Sequence, residues 1–312
     1  MTKKNRNAGK EKMVWKRQLP LIFMVLPGCI YLLINNYAPM FGIFIAFKKI
    51  DFGKGIFGSD WVGLSNFKYL FNTEAAFIMT RNTILYNLGF IVVGTITGIA
   101  VGIMLSEIRG KFRSKFYQTV ILLPYLLSWV IIAYIGYAFM NNDTGLINNT
   151  ILPALGLKPI SWYAEPKVWP FIIVFVNVWK GIGYSAILYL STIIGIDKSL
   201  FEAAQVDGAT KWKQITSITL PMLKPMVIML VIMNIGRIFN SDFGLFYQLP
   251  MNAGALYPTT QTIDTYVYRG LMQLNDISMS SAAGLYQSVV GFILVLITNA
   301  IVRKTDSDNA LF

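Results

Sequence analysis

Six stretches of the chain are apolar over lengths that match a bilayer, separated by polar connections rich in Gly, Pro and aromatic residues. A helix needs about 20 apolar residues to cross a hydrocarbon core of about 30 Å. Segments of that kind run from Leu19 to about Phe47, Ile84 to Leu105, Gln118 to Phe139, Val168 to Ile194, Ser217 to Phe239 and Gly284 to Val302. The first is interrupted by Pro27-Gly28, Asn35-Asn36 and Pro39. It is too long for the apolar region of a cleaved signal peptide and lacks a small-x-small cleavage pattern, so a true span is expected. No repeat of 20 to 50 residues and no low-complexity segment is visible. The pattern predicts an all-α integral membrane protein with six transmembrane helices.

Composition agrees with that pattern and narrows it. Of 312 residues, 55% are hydrophobic and 13% charged, with mean hydropathy +0.54. Soluble domains carry about 25% charged residues, so a soluble globular enzyme and a disordered basic tail are both excluded. The single Cys29 rules out an internal disulfide framework and a Cys-based zinc site. The absence of histidine removes imidazole metal sites, a histidine triad and a switch near pH 7. No metal site is expected.

The net charge of +12 then becomes a statement about sidedness. Most of the 27 Lys and Arg residues fall on one side of the predicted bundle. They form an N-terminal cluster from Lys3 to Arg17, the run Arg109, Lys111, Arg113 and Lys115, the group Lys198, Lys211, Lys213 and Lys224, and the tail pair Arg303 and Lys304. Fewer lie on the other side, and Lys180 and Arg237 fall within spans. The excess of basic residues on cytoplasmic loops predicts both termini cytoplasmic and an even number of crossings. Nucleic acid is not needed to explain the charge. The outer connections are Asp51–Arg81, Asn141–Lys167 and Asn240–Ser281. In the first, Trp61-Val62-Gly63-Leu64 and Asn66-Phe67 read as a turn leading into an interfacial helix, and Trp15, Trp162, Tyr163 and Trp169 fit an interfacial aromatic belt.

Between the fourth and fifth spans lies Leu200-Phe201-Glu202-Ala203-Ala204-Gln205-Val206-Asp207-Gly208-Ala209-Thr210, followed by Ile218-Thr219-Leu220-Pro221. This reads as a short helix, a glycine bend and a second helix entering the membrane. Ser199 is the expected N-cap, with Glu202 at capping-box spacing, and Gly208 permits the positive φ that ends a helix. Leu200, Ala203, Ala204 and Asp207 share a face whose small side chains suit close docking into a groove of another protein. By physics alone, an interfacial helix lying on the membrane or on its own bundle is the competing reading.

Glu-Ala-Ala, three residues, Gly, nine residues, Ile-x-Leu-Pro resembles the signature of permease subunits of binding-protein-dependent ABC importers. Glu202, Ala203, Ala204, Gly208, Ile218, Leu220 and Pro221 match every fixed position. Asp207-Gly208-Ala209 resembles the carbohydrate-uptake, maltose-type branch. Asn35-Tyr37-Ala38-Pro39-Met40, Gly58–Phe67 and Arg81-Asn82-Thr83 resemble the subgroup handling complex oligosaccharides or uronic-acid sugars, and the likeness extends over most of the chain. It implies a type I ABC importer permease fold in a bacterial cell membrane. It also implies that the 197–216 loop couples to a separate ATPase dimer, with Glu202 meeting a basic ATPase residue and Ala203, Ala204, Asp207 and Gly208 at the contact. The further partners implied are a second homologous permease, an extracytoplasmic substrate-binding protein and a carbohydrate. Residues 1–18 form the basic N-terminal segment, 19–302 the permease domain with its core at about 84–302, and 303–312 the tail. The implied mechanism is alternating access, with the first span wrapping the second permease and no covalent chemistry in this chain.

Two absences bear on the energy source. No Gly-x4-Gly-Lys-Ser/Thr occurs, so ATP and Mg are expected only in the partner ATPase. No acidic residue lies within a predicted span, which disfavours a proton- or sodium-coupled carrier.

The substrate path is read from polar positions inside spans. Asn177, Gly181 and Tyr184 recur at i, i+4 and i+7 with Lys180 adjacent, and Asn234, Arg237 and Asn240 recur at i, i+3 and i+6 with Met233 alongside. Amides and a guanidinium suit hydroxyls and carboxylates, and aromatic rings suit sugar faces. In maltose-type permeases the sugar site lies on these two helices. Arg237 departs from their amide-rich pattern and suggests an anionic or bulkier sugar. The alternative is that Lys180 and Arg237 bond backbone carbonyls between helices or line a subunit interface. Tyr86, Asn87, Tyr125, Trp129, Tyr286 and Gln287 are further candidates. Two other functions remain at this stage: an ABC permease for a different small solute, and a secondary carrier or channel.

Overall fold

The computed structural model describes residues 4–305. Residues 306–312 of the expected tail and 1–3 of the basic N-terminal segment lie outside them. The chain divides into a unit ending at Asn66 and a unit beginning at Phe67.

In the first unit, helix α1 (Lys4–Leu32) continues through a wide turn at Leu33–Tyr37 and a tighter helical stretch at Ala38–Phe47. The apolar part spans Gln18–Phe47 without a break. The expected interruptions are absorbed, because Pro39 enters at the start of the tighter stretch, where a missing N–H costs little. Asn35 donates its side-chain amide to the Tyr31 carbonyl at 3.0 Å, so that polar group is satisfied on its own helix. A two-stranded antiparallel ribbon follows, with β1 (Lys48–Lys49) beside β2 (Asp60–Trp61). Lys48 is buried beneath it and donates to the Ile56 and Phe57 carbonyls at 3.2 and 2.8 Å.

The second unit is helical throughout its regular structure. Its elements are α2 (Glu74–Ser106), α3 (Lys111–Leu126), α4 (Trp129–Met140), α5 (Trp169–Ile194), α6 (Lys198–Val206), α7 (Lys211–Ile235), α8 (Ile263–Met272) and α9 (Ile277–Thr305). Helices α2, α5, α7 and α9 are each long and apolar enough to cross a bilayer. Three of them begin before the apolar runs themselves, α2 at Glu74, α7 at Lys211 and α9 at Ile277. At Glu74 a carboxylate in the first turn favours the helix dipole.

The third predicted span is corrected. Gln118–Phe139 is not one rod: α3 and α4 meet at Leu127-Ser128 with a bend of 92°. Pro124 sits in the last turn of α3, and Ser128 takes an extended conformation and accepts the Ile131 N–H at 3.4 Å as the N-cap of α4. An apolar run cannot reveal such a break, because the residues on both sides of it, Gln118–Leu126 and Trp129–Phe139, are mostly apolar.

Small residues set how closely the helices approach. Gly98 and Gly102 of α2, spaced as in Gly-x-x-x-Gly, face α5. A methyl group on Gly98 would lie 3.0 Å from Ser185 Cβ, and one on Gly102 would lie 3.0 Å from Tyr189 Cβ and 3.1 Å from the Ala186 carbonyl. On α5, Gly183 lies against the Ile121 carbonyl group of α3, leaving no room for a side chain. At the bundle end away from α6, Arg81, Asn82 and Thr83 clamp the chain leading into α8. Arg81 Nη2 donates to the Pro258 carbonyl at 2.8 Å, Asn82 to the Gln261 carbonyl at 2.9 Å, and Thr83 Oγ1 accepts the Ile263 N–H at 3.1 Å.

The packing at Gly183 is testable. Gly183→Ala is expected to lower unfolding stability by about 1–3 kcal/mol, the usual cost of overpacking. Thermal unfolding in detergent would measure it, with Gly181→Ala, where a methyl group meets nothing within 4 Å, expected to be close to neutral.

Candidate functional site

The two predicted polar stripes face one cavity. It has a volume of about 580 Å³ and is walled by α2, α5, the end of α7 and the segment that follows it. Asn177, Gly181 and Tyr184 line it from α5, and Asn234, Arg237 and Asn240 from the α7 side. The closeness of α2 and α5 set by their small residues brings Asn87, Gly94 and Thr95 to the same wall. The Arg237 guanidinium is exposed and has no hydrogen-bond or ion-pair partner among the described residues. Tyr184 is 48% exposed and stacks on Tyr125, with ring centroids 5.1 Å apart and planes 12° apart.

Lys180 and Met233 are not among the lining residues. Lys180 instead reaches the end of α3, where its ammonium donates to the carbonyls of Pro124, Tyr125 and Leu127 at 3.3, 2.9 and 2.5 Å. The Tyr125 and Leu127 carbonyls have lost their helical partners at the break, while the Pro124 carbonyl also accepts the Leu127 N–H at 3.2 Å. The same ammonium lies over the rings of Tyr125 and Trp129, 5.7 and 5.1 Å from their centroids.

The outer wall of the cavity is bonded across the fold. Trp129 donates its indole N–H to Asp242 Oδ2 at 2.7 Å, while Asp242 Oδ1 accepts the backbone N–H groups of Gly244 and Leu245. Ser241 donates its backbone N–H and its hydroxyl to Asp264 Oδ2, both at 2.7 Å. Gln287 donates to Asp264 Oδ1, to Asn240 Oδ1 and to the Phe239 carbonyl. Asn87 donates to the Ile238 and Asn240 carbonyls, so two of the further candidates, Asn87 and Gln287, hold the turn that presents Arg237. Tyr86 is buried and donates to the Thr259 carbonyl at 2.7 Å. Tyr286 packs edge-on against Phe71 and Phe239.

At the opposite end of α5 and α7, the 197–216 loop forms α6, a bend and the start of α7. The expected N-cap is corrected: Asp197, not Ser199, caps α6, accepting the Ser199 N–H at 2.9 Å. Both side chains suit a cap, but Asp197 has the extended backbone that the position requires. This hydrogen bond to the charged form holds the Asp197 carboxyl below its usual range. Gly208 ends α6 at φ +76°, with Gly208 N–H to the Gln205 carbonyl at 3.1 Å and Ala209 N–H to the Ala204 carbonyl at 2.8 Å. That pair of bonds is a Schellman ending, which needs a left-handed residue at this position. Glu202, Ala203, Asp207 and Gly208 are exposed, Ala204 is half-buried, and Val206 beside them is 88% exposed. The small-residue face is therefore free in this chain. Among the described residues, no group of three or more His, Cys, Asp or Glu residues could hold a metal ion.

Comparison with known proteins decides the family. Residues 94–307 match the family described as binding-protein-dependent transport system inner membrane component. The chain belongs to this family. It is a multi-pass membrane permease subunit of an ABC importer and not an enzyme. The polygalacturonan/rhamnogalacturonan transport system permease protein YteP of Bacillus subtilis is 35% identical over 92% of this chain and 89% of its own length. The arabinooligosaccharides transport system permease protein AraP of the same organism is 28% identical over 91% of this chain and 88% of its own length. A chain in the crystal structure of a bacterial ABC transporter involved in the import of the acidic polysaccharide alginate superposes with TM-score 0.86 and 32% identity, covering 95% of this chain and 99% of that one. Another structure of bacterial alginate ABC transporter contains an alginate pentasaccharide-bound periplasmic protein, and its matching chain gives TM-score 0.83 at 33% identity over 93% and 96% of the two chains.

The family match includes α5, α6, α7 and most of the cavity wall. Sequence reasoning missed Thr95, Ser185, Ser241 and Asp242 in this permease. Ser241 and Asp242 lie in a connection, outside any helical stripe, so no periodicity marks them. Thr95 and Ser185 stand on spans as single small hydroxyls, and only the Gly-x-x-x-Gly spacing of Gly94, Gly98 and Gly102 signals that their two helices meet there.

Lys180→Met is expected to leave the helix-end carbonyls of Tyr125 and Leu127 unpaired. The permease should lose about 2–4 kcal/mol of stability, since each unsatisfied buried group costs about 1–3 kcal/mol and water recovers part of it. Thermal unfolding and uptake measured together would check this, with uptake falling equally for every transported solute.

Proposed function

We propose that this permease forms half of the translocation pathway for an acidic oligosaccharide and that α6 docks it on a separate ATPase dimer. The observation that carries the substrate class is Arg237, an unpaired guanidinium in a cavity otherwise lined by amides, hydroxyls and aromatic rings. A guanidinium grips a carboxylate through two parallel hydrogen bonds. The amides of Asn177, Asn234 and Asn240 suit sugar hydroxyls, the Tyr184 ring suits a sugar face, and Gly181 leaves room for it. Lys180 and Met233 act from beside the pathway, Lys180 by holding the α3–α4 elbow. The relatives named for alginate and for polygalacturonan/rhamnogalacturonan support an acidic sugar.

A second, homologous permease supplies the other half of the pathway, and ATP and Mg are bound by the ATPase. Both termini and α6 face the cytoplasm, in keeping with the basic clusters on that side. An extracytoplasmic binding protein delivers the sugar at the opposite end, a reading supported by the periplasmic protein in the alginate transporter complex. Glu202 meets a basic residue of the ATPase, while Ala203, Ala204, Asp207 and Gly208 permit close approach.

Two measurements test this. In proteoliposomes containing the whole importer, Arg237→Gln is expected to slow uptake of an acidic oligosaccharide at least about tenfold, the size of a lost charge-assisted bond, and to spare a neutral one; unchanged selectivity would sink the assignment. Glu202→Lys is expected to reduce sugar-stimulated ATP hydrolysis by about thirtyfold or more, as for a reversed charge in a buried contact. Gly208→Val should do the same by straining the left-handed bend, and full coupling in both variants would refute the docking role.

A further inference from the structure

A second cavity, of about 480 Å³, lies at the α6 end of the bundle, where α2, α5, α6 and α7 converge. Its apolar walls include Ile103 of α2, Ile193 and Ile194 of α5, Phe201 of α6 and Ile215 of α7. Three cations line it: Arg109, Lys198 and Lys211. Lys211 is paired with Glu107 at 3.0 Å in an exposed bridge. Arg109 and Lys198 are exposed and have no carboxylate partner among the described residues. Beyond Gly110, where φ is +94°, the chain continues into the basic start of α3 with Lys111, Arg113 and Lys115.

We propose that this cavity binds an anionic phospholipid of the inner leaflet, with the headgroup phosphate at Arg109 and Lys198 and an acyl chain along Ile103, Ile193 and Ile194. The proposal rests on the reading that the α6 end faces the cytoplasm. Two features select a lipid over a soluble partner. The isoleucine wall belongs to the ends of membrane-crossing helices, which lie in hydrocarbon where an acyl chain is the available occupant. The unpaired cations sit at the rim, at headgroup depth, where basic pockets between helices select anionic lipids. Occupancy would tie α6 to the ends of α2 and α5, so the lipid would brace the loop that meets the ATPase. The carboxylate of Glu107 faces the same cavity, but its charge is held by Lys211 and leaves the two other cations uncompensated.

The test uses the complete purified importer, delipidated in detergent and titrated separately with phosphatidylglycerol and phosphatidylcholine, with bound lipid counted by native mass spectrometry. Phosphatidylglycerol is expected to fill a site that phosphatidylcholine does not, and the double variant Arg109→Gln/Lys198→Gln should bind it about thirtyfold more weakly, from the usual contribution of two basic side chains at a membrane surface. Lys158→Gln, on the connection between α4 and α5, should leave binding unchanged. Equal binding of both lipids, or unchanged phosphatidylglycerol affinity in the double variant, would overturn the proposal. So would hydrogen-exchange protection of 103–109 and 193–198 that follows the ATPase and ignores lipid. Glu202 is not part of this cavity, so the coupling role is tested separately and a failure of one is distinguishable from a failure of the other.

Discussion

Breaking an apolar helix within a span strands carbonyl groups at the break, and in this permease one ammonium group takes them up. Lys180 crosses from α5 to the end of α3 and donates to three carbonyls at the bend. A charged side chain within a span costs about 2.5–3.5 kcal/mol on insertion scales, and hydrogen bonds to a charged group each return about 1.5–3 kcal/mol. The two liabilities therefore cancel only when they meet. Once the elbow is held, Trp129 at the start of α4 is placed to bond Asp242, and Tyr125 to stack on Tyr184. Through these two contacts the elbow backs Asp242 and Tyr184 in the cavity wall.

The cavity and the 197–216 loop are joined by the same two helices. Helix α5 carries Asn177 and Tyr184 at the cavity and ends at Ile194, just before α6. Helix α7 starts at Lys211, just after the Gly208 bend, and leads up to Asn234 and Arg237. Helix α7 runs unbroken from the Gly208 bend toward the cavity but includes a wider turn at Ile215–Thr219 and the prolines Pro221 and Pro225, which have no N–H to donate. Gly98, Gly102 and Gly183 hold α5 close to α2 and α3, so the packed surfaces there leave no gap.

Local features were the most legible in the sequence. The α6–Gly208–α7 arrangement is written within about twenty residues, since a left-handed glycine and a terminal proline act on the chain nearby. Even there the cap moved from Ser199 to Asp197, because two adjacent candidates differ only in backbone conformation. The stripe through Asn177 was legible because helical periodicity puts Asn177, Gly181 and Tyr184 on one face, whereas Arg237 and Asn240 lie beyond the end of α7 at Ile235 and reach the cavity from the turns that follow it. The break at Leu127-Ser128 was not, since hydropathy is blind to direction.

Hydropathy and helical period by themselves determined the membrane class and marked the polar positions within the spans, and the Glu202–Pro221 motif carried the resemblance to the family. Only the tertiary structure decided that Lys180 serves the α3 end while Arg237 stays unpaired in the cavity. In sequence the two are equivalent, each a lone cation in an apolar run. What separates them is whether a helix end with orphaned carbonyls lies within reach, and that depends on a bend more than fifty residues away in the chain.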